Sequence, residues 1–389
     1  MSAILKALEG YLGDAETDSS VPYELATSLP NINMAVSGRR DGGFPGGRLI
    51  TIAGPESSGK TALATELMIQ GQKKGGFAFL EDFEHAFHHG HAKNLGLDYE
   101  NFFAKKPRVA EEGFADAFRI MSIIRANQLK VSGDPTTDKV RLDVYNKLKG
   151  TDLSKIKPIV GLFDSIAAMI PAAQDIDYTK QNMKTKNMEH AMMLSIELKR
   201  LARDAEVSGS TMVLLNQLRT NPGVMFGDNS TEPGGNAPKF YASVMLRIRR
   251  VGKWYKTYGD PKSEVIGDVV ELFTRKNKVY RPFKKTQYVF RTADPIGLDL
   301  VGTMIHLGKT GKVLGAVEGT TLTFETKRYN IEEFDGMCRA DAALRERFVN
   351  FVMDAVNPVS DGPVISDDEG DAFAGLSAGI PTIPAPTAA

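Results

Sequence analysis

Apolar positions recur along the chain in two rhythms. LITIAG (49–54), FAFLE (77–81), PIVGLFD (158–164) and TMVLLNQ (211–217) are short apolar runs that read as buried strands. Between them the spacing turns helical. A helix from Lys60 to about Lys74 follows the first run. Phe114, Phe118, Met121 and Ile124 share one side of a helix over about 112–129, and Leu194, Leu198, Leu201 and Ala205 share one side of another over about 188–206. This alternation predicts an α/β fold with a mostly parallel central sheet covered on both faces. After Gly235 the texture changes. YASVMLRIRRV, EVIGDVVELFTRK and TQYVFRTA have little helix between them and predict an antiparallel extension of the sheet. Residues 295–357 read as a small α+β domain ending in a helix over 339–356.

The two ends differ from this middle. Ile4, Leu5, Leu8 and Leu12 line one face of a short N-terminal helix, which is marginal alone and suits an arm that docks on another subunit. The reading therefore divides the chain into an arm (1–30), a core (31–294), the small domain (295–357) and a tail (358–389). The tail carries Asp361, Asp367, Asp368, Glu369 and Asp371, five prolines and no cation, so it is expected to be disordered. Residues 131–157 are polar and rich in Lys and Asp, as in a surface insertion.

Composition removes several classes of function. No apolar run approaches the about 18 residues of a membrane span. The first residues, MSAILKALEGYLGDAE, lack the long apolar core of a secretory leader. A single cysteine, Cys338, excludes an intramolecular disulfide and a thiolate-rich zinc site, and suggests a reducing, cytoplasmic setting. Lys+Arg and Asp+Glu are both 48, so a polyanion would have to be met by a local patch.

GPESSGKT (54–61) supplies the first chemistry. It fits G-x-x-x-x-G-K-S/T, follows a buried strand and opens a helix. Gly54 and Gly59 let the loop through Pro55, Glu56, Ser57 and Ser58 curl its N–H groups inward on phosphate oxygens. Lys60 can reach the outer phosphates, and the Thr61 hydroxyl can ligate Mg²⁺. Asp164, at the end of VGLFD, is the second candidate ligand. Hydrolysis needs a group that orients water, and Glu81, Asp82 and Glu84 all qualify by chemistry alone. Gln217, ending another strand, could sense the outer phosphate. Glu84, His85, His88 and His89 have ligand chemistry but no zinc-protease spacing, so solvated or base-stacking histidines are the simpler reading.

With GPESSGKT, the FEHA run, LFDSIAA, NQLR and GVMFGDNSTEPGGNAPKFYASVMLRIRR, residues 25–357 resemble the RecA-type homologous recombinases, most specifically over 216–250. The resemblance implies a RecA-like phosphate-loop ATPase using ATP and Mg²⁺. It implies a helical filament of identical subunits on single-stranded DNA that exchanges strands with duplex, with single-strand-binding and loading proteins as further partners. It makes Glu84 the catalytic glutamate and Gln217 the link between γ-phosphate and DNA. Lys276 and Lys278 would reach ATP across a subunit interface. Residues 171–188, with Lys180, Lys184 and Lys186, match a first DNA-binding loop. Arg219 to Gly235, with Met225, Phe226 and Gly234, match a second. The sequence departs from the pattern at His88, His91 and Met245, and it lacks an arginine over 188–194. Those departures and the insertion suggest a phage-encoded or otherwise diverged member. Two other readings stay open: a regulatory ATPase that exchanges no strands, and a structural filament that uses ATP as a switch.

Overall fold

The computed structural model describes residues 21–175, 183–220, 230–315 and 319–362. After β1 (Glu24–Leu25), helix α1 (Pro30–Ser37) starts on a proline, whose fixed φ suits a first turn. β2 (Phe44–Pro45) pairs with β1, and β3 (Leu49–Gly54) is buried at all six positions. Then come α2 (Lys60–Lys73), β4 (Phe77–Asp82), α3 (His89–Leu95), β5 (Phe102–Lys105), α4 (Ala110–Leu129), α5 (Asp138–Lys149) and β6 (Ile159–Asp164). The short α6 (Ala172–Asp175), the long α7 (Met183–Ser208) and β7 (Ser210–Gln217) complete the alternating part.

The sheet runs β5-β4-β6-β7-β3, parallel throughout, and β3 pairs in parallel with β10 (Val244–Tyr255). From β10 it turns antiparallel through β11 (Val265–Asn277), β12 (Lys284–Arg291) and β13 (Gly297–Asp299). This is the α/β architecture the alternation predicts. One face packs on α1 and α2 through Ile32, Leu63 and Leu67, and the other on α4 and α7 through Phe114, Leu194 and Leu198. Each covered face leaves its strands no polar side, hence the continuous apolar runs.

Other elements differ from the reading. Residues 131–157 hold α5, whose Val140, Val144 and Leu148 pack on Ala126. Beyond β13, α9 (Leu300–Thr310) follows α8 (Ala237–Tyr241) in chain order and is capped by Asp299, whose side chain accepts from Gly302 N. A hairpin, β14 (Thr321–Phe324) and β15 (Lys327–Asn330), leads to α10 (Ile331–Ala340) and α11 (Ala342–Ala355). The helix expected over 339–356 corresponds to α11, which begins three residues later because the Asp341 carboxylate caps Ala343 N and Leu344 N. The segment also shares its apolar core with Trp254, Val269 and Val289 of the antiparallel strands. The stretch read as tail is held as far as Gly362. Ser360–Asp361 pairs with β12, and Thr286 Oγ1 donates to the Pro358 carbonyl at 2.7 Å. Residues 363–389 and the N-terminal helix expected over 1–20 lie outside the described residues.

Candidate active site

β3, β7, β6 and β4 end along one rim. Gly54 is in register with Gln217, and Asp82 with Asp164. Four parallel strands thereby bring residues from distant parts of the chain together.

The loop after β3 has its two glycines for different reasons. A Cβ on Gly54 would stand 2.4 Å from the Ile248 carbonyl oxygen, so close packing on β10 excludes a side chain. A Cβ on Gly59 would meet nothing, but its φ of 93° lies in the left-handed region. Ser57 adopts a left-handed φ of 55° beside it. Ser58 Oγ is buried with no hydrogen-bond partner in the structure, a polar atom inside the loop that suits an oxygen-rich ligand. Lys60 Nζ folds over the loop and donates to the carbonyls of Gly54 (3.0 Å) and Pro55 (2.8 Å). Burial lowers its pKa, against the attraction of Asp164 and Glu84.

Thr61 Oγ1 donates to Asp164 Oδ2 at 3.0 Å. Burial, then repulsion from Glu84, pushes the Asp164 carboxyl up to about 6, opposed by Thr61 and Lys60. A divalent cation would relieve this crowding of negative charge, so the residues present fit Mg²⁺.

The three acids after β4 point to different places. Glu81 is fully buried behind the sheet, beside Asp116 and Lys105, and both its oxygens lack partners. Burial, then Asp116, pushes its carboxyl up to about 8. Asp82 closes the following turn by accepting from Ala86 N and Phe87 N at 3.3 Å each. Glu84 alone comes to the rim. Its Oε1 accepts from Gln217 Nε2 at 3.0 Å and from the buried Ser165 hydroxyl. Its backbone N–H donates to the Asp164 carbonyl at 3.0 Å.

Next to Gln217 begins the stem of the second loop. Arg219–Thr220 (β8) pairs antiparallel with Ser230–Thr231 (β9). Asn216 Nδ2 donates to the Pro233 carbonyl at 2.9 Å, and the Glu232 carboxylate lies 3.2 Å from both Arg247 and Arg275, all largely buried. Gly234 is buried against Leu194 and Ile166, at a φ of 101°. Gly235 follows at 67° beside Ala191. Ser165, Asn216 and the Glu232 pair were missed in the sequence reading. Ser165 stands next to Asp164 and could have been flagged for that; nothing local marks Glu232.

The structure does not bring every predicted residue to this rim. Lys276 pairs across β10 level with Thr51, and the Lys278 N–H bonds Ser243 beside Leu49. Both therefore stand about 10–17 Å back along β3 from Gly54. Lys276 Nζ bonds the Lys239 carbonyl, and Lys278 lines a cleft with Arg48, Arg203 and Phe240. Lys186 lies in α7, its carbonyl accepting from Gln174. Lys184 and Arg219 are placed by their backbone in α7 and β8, while Lys180, Met225 and Phe226 lie outside the described residues. His88 Nδ1 caps α3 by accepting from His91 N, and His89 packs on Phe87, Tyr99 and Phe102. Among the described residues, no group of three or more His, Cys, Asp or Glu could hold a metal, and no helix is long and apolar enough to cross a membrane.

Comparison with known proteins covers this rim and the loop stem. The model of the RecA N-terminal domain matches residues 12–133 and 121–293. Protein RecA of Gluconobacter oxydans is 30% identical over 288 residues, 74% of this chain and 71% of the relative. Protein RecA of Rhodospirillum rubrum is 29% identical over 347 residues, 86% and 81%. Protein RecA of Clostridium botulinum (Eklund 17B) is 30% identical over 315 residues, 78% and 76%. Since the family match runs through the phosphate loop, the acids of the rim and the second loop's stem, the chain belongs to the RecA family.

Proposed function

We propose that this protein is a DNA-dependent ATPase that polymerises on single-stranded DNA and promotes homologous pairing and strand exchange. The observation that carries the reading is the hydrogen bond from Gln217 to Glu84. It ties the candidate hydrolytic carboxylate to the root of a loop suited to DNA, through Asn216 and Pro233. A ligand held by the loop then has a short path to Glu84.

The residues divide the chemistry. Thr61 and Asp164 would hold Mg²⁺, which supplies charge neutralisation between the outer phosphates. Lys60 leaves the loop carbonyls to pair with the same phosphates. Ser165 and Gln217 hold Oε1 of Glu84, so the carboxylate is oriented before water arrives. Glu84 takes the proton of a water whose oxygen bonds the γ-phosphorus as the bond from that phosphorus to the ADP oxygen breaks, leaving ADP and phosphate. Lys276 and Lys278, remote from their own chain's loop, serve the ATP of an adjoining subunit. Duplex DNA and loading or single-strand-binding proteins would act on the assembled filament.

ATP hydrolysis measured with and without single-stranded DNA, alongside joint-molecule formation from homologous strands, tests the reading. Stimulation with joint molecules supports it. Stimulation without joint molecules favours a regulatory ATPase, and negligible turnover under both conditions a switch-like filament.

A further inference from the structure

The antiparallel extension of the sheet and the small domain leave a cleft of about 770 Å³ between them. Its lining comes from β10 and the turn after it (Trp254, Tyr255, Tyr258), from β12 (Gln287) and from α9 (His306). Trp254 stands edge-on to Tyr258 at 5.3 Å between ring centroids and to His306 at 6.4 Å. These residues lie apart from the rim that carries the phosphate loop.

The lining is nearly without charge. Lys253 is the one charged side chain among the described lining residues, and Asp268 accepts from its ammonium at 2.8 Å. Burial pushes the His306 imidazole down to about 4, so the ring is neutral at pH 7. Gln287 Nε2 donates to Glu271 at 3.4 Å, which turns its Oε1 toward His306, and His306 Nε2 donates to that oxygen at 2.8 Å. A phosphate-bearing ligand is therefore a poor match. Aromatic faces with N–H and O–H donors at their ends suit a neutral, apolar ligand rich in hydrogen-bond acceptors.

The end of this same chain has that chemistry. Ile380-Pro381-Thr382-Ile383-Pro384 repeats Ile-Pro at an interval of three, the period of a polyproline II helix, so both dipeptides fall on one edge. Proline offers a carbonyl but no N–H, and that helix uses none of its carbonyls internally. Proline-rich segments of this spacing dock in aromatic grooves at low entropic cost. The segment is also tethered close by. Ser360–Asp361 pairs with Lys284–Lys285 of β12, two positions from Gln287 in the cleft. A linker of the length of residues 363–379 has an average span of about 20–25 Å, more than the roughly 7 Å between Lys285 and Gln287.

We infer that the cleft walled by Trp254, Tyr255 and Tyr258 holds residues 380–386 of the same chain, anchoring the C-terminal segment where the sheet meets the small domain. The docking involves neither the ATP nor the DNA chemistry proposed above.

The test uses the full chain, the chain truncated after Gly379 and a labelled peptide of residues 378–389. Trp254 is the protein's single tryptophan, so its emission reports the cleft. By anisotropy, the peptide should bind the truncated chain with a Kd below about 1 mM, the local concentration that a short tether supplies, and the full chain several-fold more weakly. Trp254 emission should shift as the peptide binds. A peptide carrying Pro381→Ala and Pro384→Ala should not bind. The same two substitutions in the full chain, which change no residue of the cleft, should open it to the wild-type peptide. No binding to the truncated chain, or binding with Trp254 emission unchanged, overturns the proposal. Equal binding to full and truncated chains would make the cleft a site for another protein's proline-rich segment and also overturns it.

Discussion

Glu81, Asp82 and Glu84 lie within four positions, yet their surroundings set them three different tasks. Only Glu84 is oriented by two donors on one oxygen. Glu84→Gln should lower ATP turnover by ~10²–10⁴-fold while nucleotide and DNA binding survive. Ser165→Ala, which removes one orienting hydrogen bond, should lower kcat by about tenfold with KM nearly unchanged. Phosphate release and nucleotide titration check both, and unchanged turnover in Glu84→Gln would exclude it as the base. Glu81 makes a pH prediction. Its folded pKa is near 8 and its unfolded value near 4.5. The folded state therefore holds a proton that the unfolded state releases, and stability falls as pH rises through that window. Glu81→Gln should raise Tm at pH 8 by roughly 2–5 °C and flatten the decline between pH 5 and 8. A melting series that leaves the slope unaltered would show that Glu81 is ionised.

Among the elements, the inserted helix α5 is attached by a small apolar cluster of its own rather than by the main core. Leu148 is 5% exposed there. Leu148→Ala should cost about 2 kcal/mol, the low end for a buried leucine because a satellite cluster can partly collapse. Hydrogen exchange over 138–149 should quicken, while ATP turnover holds. A matching loss of turnover would mean that α5 supports the catalytic rim. The break between α10 and α11 teaches a related lesson. Their helical spacing continues through Asp341, but the cap and the packing of Phe334 and Phe348 on Phe324 favour two axes over one.

At the scale of the whole molecule, Lys276 stands in β11 level with Thr51, set back across the sheet from the phosphate loop that follows β3. We propose that a neighbouring subunit completes the site. Lys276→Ala should leave the monomer folded but poison wild-type protein on mixing, with activity falling faster than the mutant fraction rises. A strictly proportional fall would argue against a shared site. The acidic tail belongs to this scale too. Its start moves to Gly362, since Ser360–Asp361 is bound to β12. Truncation after Gly362 should tighten duplex binding at low salt, because a tethered polyanion no longer competes for basic surface. The gain should shrink as salt screens it. Equal affinities at low salt would leave the tail no such role.

The phosphate loop, the strand-end Asp164 and the parallel order of the core were legible in the sequence because each rests on neighbours within a few residues: glycine spacing, an apolar run, a change of period. The resemblance then singled out Glu84 and Gln217, and the structure sets these two in contact. Other features depend on groups far apart in the chain. Glu84 meets Gln217 across 133 positions, and the turn that aims it passes through His85 at a φ of 57°. Ser165 reaches Glu84 because β6 and β4 are in register, and Glu232 is paired because β10 and β11 bring two arginines to one carboxylate. Periodicity identifies the face of an element but not what a neighbouring strand places opposite it. That is why the acids were known as a set from their chemistry, and their separate surroundings only from the packed sheet.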